Sequence, residues 1–479
     1  MELDLGLDPD DAARVGRLAI LGPLKHGKPR RRVLRTIWHD SPDRALASQG
    51  LALAEQRPQW RLERLLPDGQ YWPPGAPAPV LATGRAAAAL GQPLPEPLAP
   101  IAALEGRTVT QGLATEHGQV NLTLLTGTIR AFAVERRVSR IRLEGPRDAI
   151  QPLAVTLASE VRLSVPCVSL AGLAAAVASG AEPPPRHEGA PELPPGLSVA
   201  EAFGHAVGQL SDVILHLAPM AAQDSEDTEP VHQMRVAVRR LRSTIKAFGR
   251  AVDSPEVASA AAGLKTLAAK LAPTRDWDVF MTETAPEVAR AFPDEPRLGR
   301  LLARAERRRQ VCHHELRQFL DSAEFRCLGI ELACLAAQPA ADVTQAAPNL
   351  ALETFATEVL GKRLKRLLTT DGEITELEPA VLHAIRLRAK RLRYAAEIFA
   401  PLFPGKPTHR FLRRLSRLQD RLGTLNDSAV AAALLGQFGS QHAFATGLVV
   451  GFLGALSRGT RAKIDAAWQK FRRSEPFWE

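Results

Sequence analysis

Aromatic side chains are scarce, at 5% of 479 residues with only two tyrosines. Single-stranded nucleic acid is gripped largely by stacking its bases on aromatic rings, so this composition speaks against such a partner. Cysteine is scarcer still. Cys167, Cys312, Cys327 and Cys334 form no C-x-x-C pair and show no zinc spacing. That excludes a disulfide scaffold or structural zinc site and fits a reducing, cytoplasmic compartment. The opening residues Met1-Glu2-Leu3-Asp4 carry neither the basic nor the apolar region of a secretory signal. The longest apolar stretch, Ala443–Leu456, has 14 residues, which is short for a membrane span. Its Gly447, Gly451 and Gly454 read as points of close helix contact. No G-x-x-x-x-G-K-[ST], G-x-S-x-G or H-E-x-x-H occurs, so a nucleotide loop, a serine nucleophile elbow and a zinc-protease helix are excluded. His313 and His314 are neighbours that point to different helix faces and make a poor metal pair. No catalytic residue, metal site or cofactor is expected.

What the chain does have is positive charge. Its formal net charge is +9 and its pI about 9.7, which calls for an anionic partner. Its length suggests two to four domains. Residues 1–197 hold 23 of the 37 prolines, and proline interrupts helices and central strands. Strand-like runs there are Arg32–Trp38, Val120–Leu125, Thr128–Val134 and Arg140–Glu144; helix-like runs are Asp148–Glu160 and Leu170–Ala178. This predicts an α+β domain over 1–180 and a stiff proline-rich linker over 181–197. From 198 to 479 long runs of period 3.6 predict an all-α domain. That segment also holds most of the charge excess, with 39 basic against 32 acidic residues.

The helical part repeats. His232–Phe248 (HQMRVAVRRLRSTIKAF) and His383–Phe399 (HAIRLRAKRLRYAAEIF) share six identities at an offset of 151 residues. The same offset aligns Leu264, Leu267, Leu271 and Asp276 with Leu415, Leu418, Leu422 and Asp427, and Lys270 with Arg421. One offset serving two segments predicts two similar four-helix bundles, at about 198–345 and 346–479.

In each copy an apolar stripe faces inward: Met234, Val238, Leu241, Ile245 and Phe248, then Ile385, Ala389, Leu392, Ala396 and Phe399. Beside it runs a row of cations: His232, Arg235, Arg239, Arg242 and Lys246, then His383, Arg386, Lys390 and Arg393. Aligned cations repel by a few tenths of a kcal/mol per pair. From His232 to Arg242 the row extends about 15 Å at 1.5 Å per residue, enough to follow consecutive phosphates of a linear polyanion. Arginine supplies bidentate forks for their oxygens and lysine a mobile point charge. Arg414, Arg417 and Arg421 extend the set at 3-4 spacing. Lys270, Arg240, Arg391, Lys362, Arg363 and Arg366 rank second, with Arg240 and Arg391 expected to pair with Asp276 or Asp427 or to cap neighbouring helices. Arg307-Arg308-Arg309 reads as a solvated surface.

The pattern H-x-x-R-x-x-x-R-R-L-R, followed by Arg275-Asp276-Trp277-Asp278-Val279, closely resembles the CHAD family, and His383–Tyr394 with Leu418–Asp427 resembles it again. The resemblance covers about 198–479. It implies two pseudo-symmetric four-helix bundles with a basic groove or pore between them, binding of inorganic polyphosphate and targeting to polyphosphate granules; some members are found on storage-polyester granules. Carried over, the binding positions are His232, Arg235, Arg239, Arg242, His383, Arg386, Lys390 and Arg393.

CHAD domains often follow a CYTH domain, and residues 1–180 resemble a degenerate version of that β-barrel tunnel. Glu2-Leu3-Asp4-Leu5-Gly6 stands for the opening E-x-E-x-K, and Asp40-Ser41-Pro42-Asp43 for D-T-P-D. Ala54 and Gln56 occupy positions of tunnel arginines, and the acidic metal strand reads Ser139-Arg140-Ile141-Arg142-Leu143-Glu144. Triphosphate hydrolysis there needs both the cations and the metal-holding carboxylates. The expectation is therefore a non-enzymatic polyphosphate-binding protein. A divalent-dependent triphosphatase, a nucleic-acid-binding protein and a granule coat or scaffold protein are the rivals.

Overall fold

A computed structural model of the chain describes residues 1–56, 59–65, 94–180, 189–223, 226–249, 251–337, 350–369, 377–456 and 459–479, without the side chains of 59, 379 and 424–428. The chain forms two compact units. One comprises Met1–Glu188, Val207–His216 and Asp321–Gln338; the other comprises Gly189–Ala206, Leu217–Leu320 and Pro339–Glu479. Residues 181–188 of the expected linker lie outside the described residues.

The first unit is built on an antiparallel sheet of eight strands: β1 (Glu2–Leu7), β2 (Lys25–Asp40), β3 (Leu51–Gln56), β4 (Gln59–Arg64), β5 (Ala99–Thr115), β6 (Gly118–Ala131), β7 (Val134–Glu144) and β8 (Leu163–Ser164). Their order is β4-β3-β2-β5-β6-β7-β1-β8. The run Thr128–Val134 is cut by a two-residue turn at Phe132-Ala133, where Phe132 takes φ 52°. An apolar pair stands where hairpins favour Asn-Gly, which hides the turn from a sequence reading. β5 escaped the sequence reading altogether, because Gly106, Gly112, Glu105 and Arg107 break its alternation.

Strand side chains alternate between faces, so the register sorts the core in two. Leu3, Leu5, Leu122, Ile141 and Leu143 pack under α3 (Arg147–Glu160) and under Ile330, Ala333 and Cys334 of a later helix, Ala323–Ala336. That later helix is also tied by hydrogen bonds. Arg326 Nε donates to the Ala158 carbonyl at 3.0 Å, and Arg147 Nη2 donates to the Cys334 carbonyl at 3.1 Å. Trp38, Ala54, Leu104 and Ile129 pack instead against α4 (Leu170–Ser179), whose N-terminus is capped by the Ser169 hydroxyl. Two further helices, α1 (Ala12–Val15) and α2 (Ala45–Ser48), are single turns between strands.

The helices that follow are α5 (Val199–Ala221), α6 (Glu229–Phe248), α7 (Pro255–Val279), α8 (Ala285–Ala291), α9 (Pro296–Leu320), α10 (Ala323–Ala336), α11 (Leu352–Leu368), α12 (Pro379–Phe399), α13 (Lys406–Gly436), α14 (Ala443–Leu456) and α15 (Thr460–Arg472). Ser198 and Glu201 close a reciprocal capping box on α5. Both apolar stripes are buried as their spacing requires: Met234, Leu241 and Phe248, like Ile385, Leu392 and Phe399, are 0% exposed. The repeat-equivalent rings Phe248 and Phe399 meet at 5.5 Å, joined by Phe203 and Phe355.

The glycines of α14 do not serve close packing. A methyl placed on Gly447, Gly451 or Gly454 meets open space, and the buried residues of that helix are Ala445 and Val449. No single helix among the described residues is long and apolar enough to cross a membrane.

Candidate polyanion site

Helix α6 packs on α7 and α12, and α12 packs on α11 and α13. Because each stripe of cations lies beside the apolar stripe, burying the latter leaves the former half-buried at the helix contacts. His232, Arg235, Arg239, Arg242, Arg386, Lys390 and Arg393 are all partly buried, whereas Lys246 and His383 are exposed.

The electrostatics show that the two rows come together. Lys390 of α12 is held at a pKa of about 8, against an ordinary 10.5. Burial is the main cause, followed by repulsion from Arg386, then from Arg239 and Arg235 of α6, then from Arg393. Guanidiniums from both helices therefore act on one ammonium, which has no carboxylate partner among the described residues. Tyr394 sits between Arg239 and Arg393, each 6.0 Å from its ring centroid. The Arg239 Nε is buried and has no hydrogen-bond partner among the described residues. His232 is pushed below its ordinary 6.5 by burial first and then by Arg275. It is neutral at pH 7 and contributes a donor rather than a charge.

A second cation cluster continues along the same helices. Lys246, although its side chain is exposed, has its pKa lowered by partial desolvation and then by Arg242, Arg391 and Arg363. Arg363 is itself depressed to about 10 by burial, Arg391 and Arg366, and donates to the Arg391 carbonyl at 2.7 Å. Arg391, Arg363 and Arg366, ranked second from sequence, thus gather with Lys246 and Arg242.

The rows are not free of acid. Arg235 Nη2 lies 3.4 Å from Asp276 Oδ1. The second row continues, at the next helical step after Arg393, into Glu397. Arg393 Nε donates to Glu397 Oε1 at 2.7 Å, and Nη1 to Gln419 Oε1 at 3.0 Å. Arg240 Nη2 approaches Glu397 Oε2 at 3.4 Å. Arg240 therefore pairs with Glu397 rather than with Asp276; the Asp427 side chain lies outside the described residues. Glu397 falls on the polar face by simple spacing, so the sequence held this signal.

Other expected residues lie elsewhere. Arg414 donates to Ser474 Oγ at 3.0 Å, and Arg417 and Arg421 are exposed on α13. Lys362 pairs with Glu358 at 3.2 Å, and Lys270 is partly buried on α7. Arg309 is no solvated surface residue. Its Nε and His313 Nε2 both meet Oδ1 of the fully buried Asp278 at 2.8 Å. Arg275 and Tyr394 were missed as site residues. Tyr394 is one of only two tyrosines and stands where the first copy has Ser243.

Among the described residues no three His, Cys, Asp or Glu side chains gather as a metal ion would require. Cations from two helices, a flanking phenol ring and few counter-charges make a site that can neutralise several linked anionic groups.

Residues 205–436 match the CHAD domain family. The chain is similar to the crystal structure of the CHAD domain from the plant Ricinus communis, with 29% identity and a TM-score of 0.51 over 61% of this chain and 98% of that one. It is also similar to PptA from Streptomyces chartreusis, with 20% identity and a TM-score of 0.43 over 56% of this chain and 99% of that one. No curated protein matches it.

Proposed function

Starting from the fact that this chain carries a CHAD domain over residues 205–436, we propose that it binds inorganic polyphosphate, without turning it over, in a basic groove between α6 and α12. The observation that carries this function is Lys390, crowded by arginines of both helices and lacking a carboxylate partner among the described residues. A linear polymer of phosphates would relieve that repulsion and replace its own counterions. His232, Arg235, Arg239, Arg242, Arg386, Lys390 and Arg393 would form its bed, and Lys246, Arg363 and Arg391 its continuation. The contact of Phe248 with Phe399 supports two bundle halves related by pseudo-symmetry, with the cation rows flanking their junction. Localisation at polyphosphate granules follows from such binding.

For the first unit we propose a CYTH-like tunnel that has lost catalysis. Glu63 of β4 is influenced by Arg142 of β7. These strands are far apart in the sheet order, so their proximity supports a curled sheet. The surviving carboxylates do not suit a divalent metal. Arg142 Nε lies 3.2 Å from Glu2 Oε1, Arg140 Nη1 lies 3.9 Å from Asp4 Oδ2, and burial raises the pKa of Asp4. Guanidiniums beside Glu2 and Asp4 support a unit without metal-assisted hydrolysis.

The test is polyphosphate retention by the full chain against a variant with Arg235, Arg239, Arg386 and Lys390 all changed to Ala. Loss of most binding in a folded variant is expected, and undiminished affinity would reject the groove. RNA at matched charge should compete poorly. Tripolyphosphate with Mg or Mn should release no phosphate above background, and clear turnover would restore the triphosphatase alternative.

A further inference from the structure

The first unit carries a second concentration of positive charge. The start of β2 reads Lys25-His26-Gly27-Lys28-Pro29-Arg30-Arg31-Arg32-Val33-Leu34-Arg35. Every basic residue in it is exposed, and Val33 among them is 91% exposed. The neighbouring strand β3 pairs with β2 only over Ile37–His39, so among the described residues Lys25–Thr36 is paired on one side alone, with β5. Arg107 of β5 stands directly across from Val33 and is also exposed. It fills with charge the one apolar gap between Arg31 and Arg35.

Little of this charge is used internally. Lys25 Nζ donates to the Gly16 carbonyl at 2.9 Å, and Arg35 Nε lies 3.6 Å from Glu105 Oε1. Lys28, Arg30, Arg31, Arg32 and Arg107 have no ion-pair partner among the described residues. The strand is nonetheless fixed. Gln111 Nε2 donates to the His26 carbonyl at 2.9 Å and to the Gly27 carbonyl at 3.3 Å, across the register shift between His26 and Arg30. Edge strands often carry a charge to discourage pairing with other chains, but one or two lysines do that. A run of adjacent arginines adds mutual repulsion that the fold itself does not need. Because alternate residues point to opposite faces, Arg30 and Arg32 flank the strand on one side and Arg31, Arg107 and Arg35 on the other.

We propose that this ribbon is a second docking site for inorganic polyphosphate, separate from the helical groove. A linear ligand along the ribbon would meet guanidiniums from both faces. The chemistry favours a bare phosphate polymer over nucleic acid. The ribbon offers guanidinium and ammonium groups and the single imidazole of His26, with no Phe, Tyr or Trp to form a stacking platform for successive bases, and its one amide, Gln111, is occupied by backbone carbonyls. The site rests on the same polymer as the groove but not on the groove's residues.

The experiment uses the full chain in which Arg235, Arg239, Arg386 and Lys390 are already Ala, titrated with long-chain polyphosphate at 50 and 200 mM salt. Weak binding should persist, falling about 50-fold between the two salts if some four contacts each contribute about −0.7 to the log–log slope. Adding Lys28→Gln, Arg30→Gln, Arg31→Gln and Arg32→Gln should abolish it, and Lys at all four positions should restore it, with unchanged thermal melting throughout. Binding that survives the glutamine changes, or that is absent before them although the wild type binds, overturns the ribbon site. Preferential capture of duplex DNA overturns the choice of polymer. A wild type that binds no polyphosphate overturns the groove as well, which separates the two failures.

Discussion

Replacing Lys390 by methionine should make the protein more stable and a poorer binder at once. The folded state holds the Lys390 ammonium at a pKa of about 8 instead of 10.5, through burial and four arginines. A displacement of that size corresponds to about 3 kcal/mol of unfavourable interaction. The side chain is only half-buried, so solvent screening leaves about 1–2 kcal/mol. The sign follows from proton counts. Below pH 8 the lysine is protonated in both folded and unfolded chains, and the whole penalty is felt. Between pH 8 and 10.5 the unfolded chain binds the proton more than the folded one, so the penalty fades and stability rises with pH. Lys390→Met keeps the aliphatic packing and removes the charge. At pH 7 its urea midpoint should therefore exceed wild type, with a melting temperature about 2–6 °C higher. The difference should shrink as pH climbs from 8 towards 10.5. Polyphosphate affinity should move the other way: the wild type loses affinity above pH 8 as Lys390 discharges, while the variant starts lower and lacks that step. A methionine variant less stable than wild type at pH 7, or a stability gain independent of pH, would refute the crowding of Lys390 by like charges.

Salt titration of wild-type binding should give a log–log slope near −6 for about eight neutralised phosphates; a slope near zero would remove the electrostatic mechanism. Changing Glu397 to Gln should tighten polyphosphate binding by about 1 kcal/mol, roughly fivefold. It should also lower stability by about 2 kcal/mol in urea, because Arg240 and Arg393 lose their shared carboxylate. Changing Asp278 to Asn strands Arg309 and His313 around a buried site and should cost about 3 kcal/mol, with affinity unchanged in the fraction that remains folded.

The helical half was legible because its code is local. Apolar residues at 4-3 spacing must face inward, which fixes the side of α6 and α12 that carries the cations, and the repeat offset shows that both helices carry them. Which carboxylates would intrude was only partly written in that spacing. Glu397 was, one helical step beyond Arg393. The pairing of Arg235 with Asp276 depends on how α6 lies against α7, and the burial of Arg309 on how α9 meets Asp278. The sheet was harder. β5 alternates too weakly to stand out, and the hairpin at Phe132-Ala133 has apolar residues where turn residues are expected. The basic start of β2 was present in the sequence, but only the short reach of β3 reveals how much of it is paired on one side alone among the described residues.

The ring cluster of Phe203, Phe248, Phe355 and Phe399 gathers side chains separated by up to 196 positions in the chain. The earlier cationic helix can therefore meet Phe203 at once but completes the packing of its last ring only when Phe355 and Phe399 have left the ribosome. A nascent chain arrested near residue 345 should be readily cleaved by protease along α6, whereas one released beyond residue 399 should resist. The two helices share a sequence pattern, yet the earlier one is expected to mature only in the company of the later.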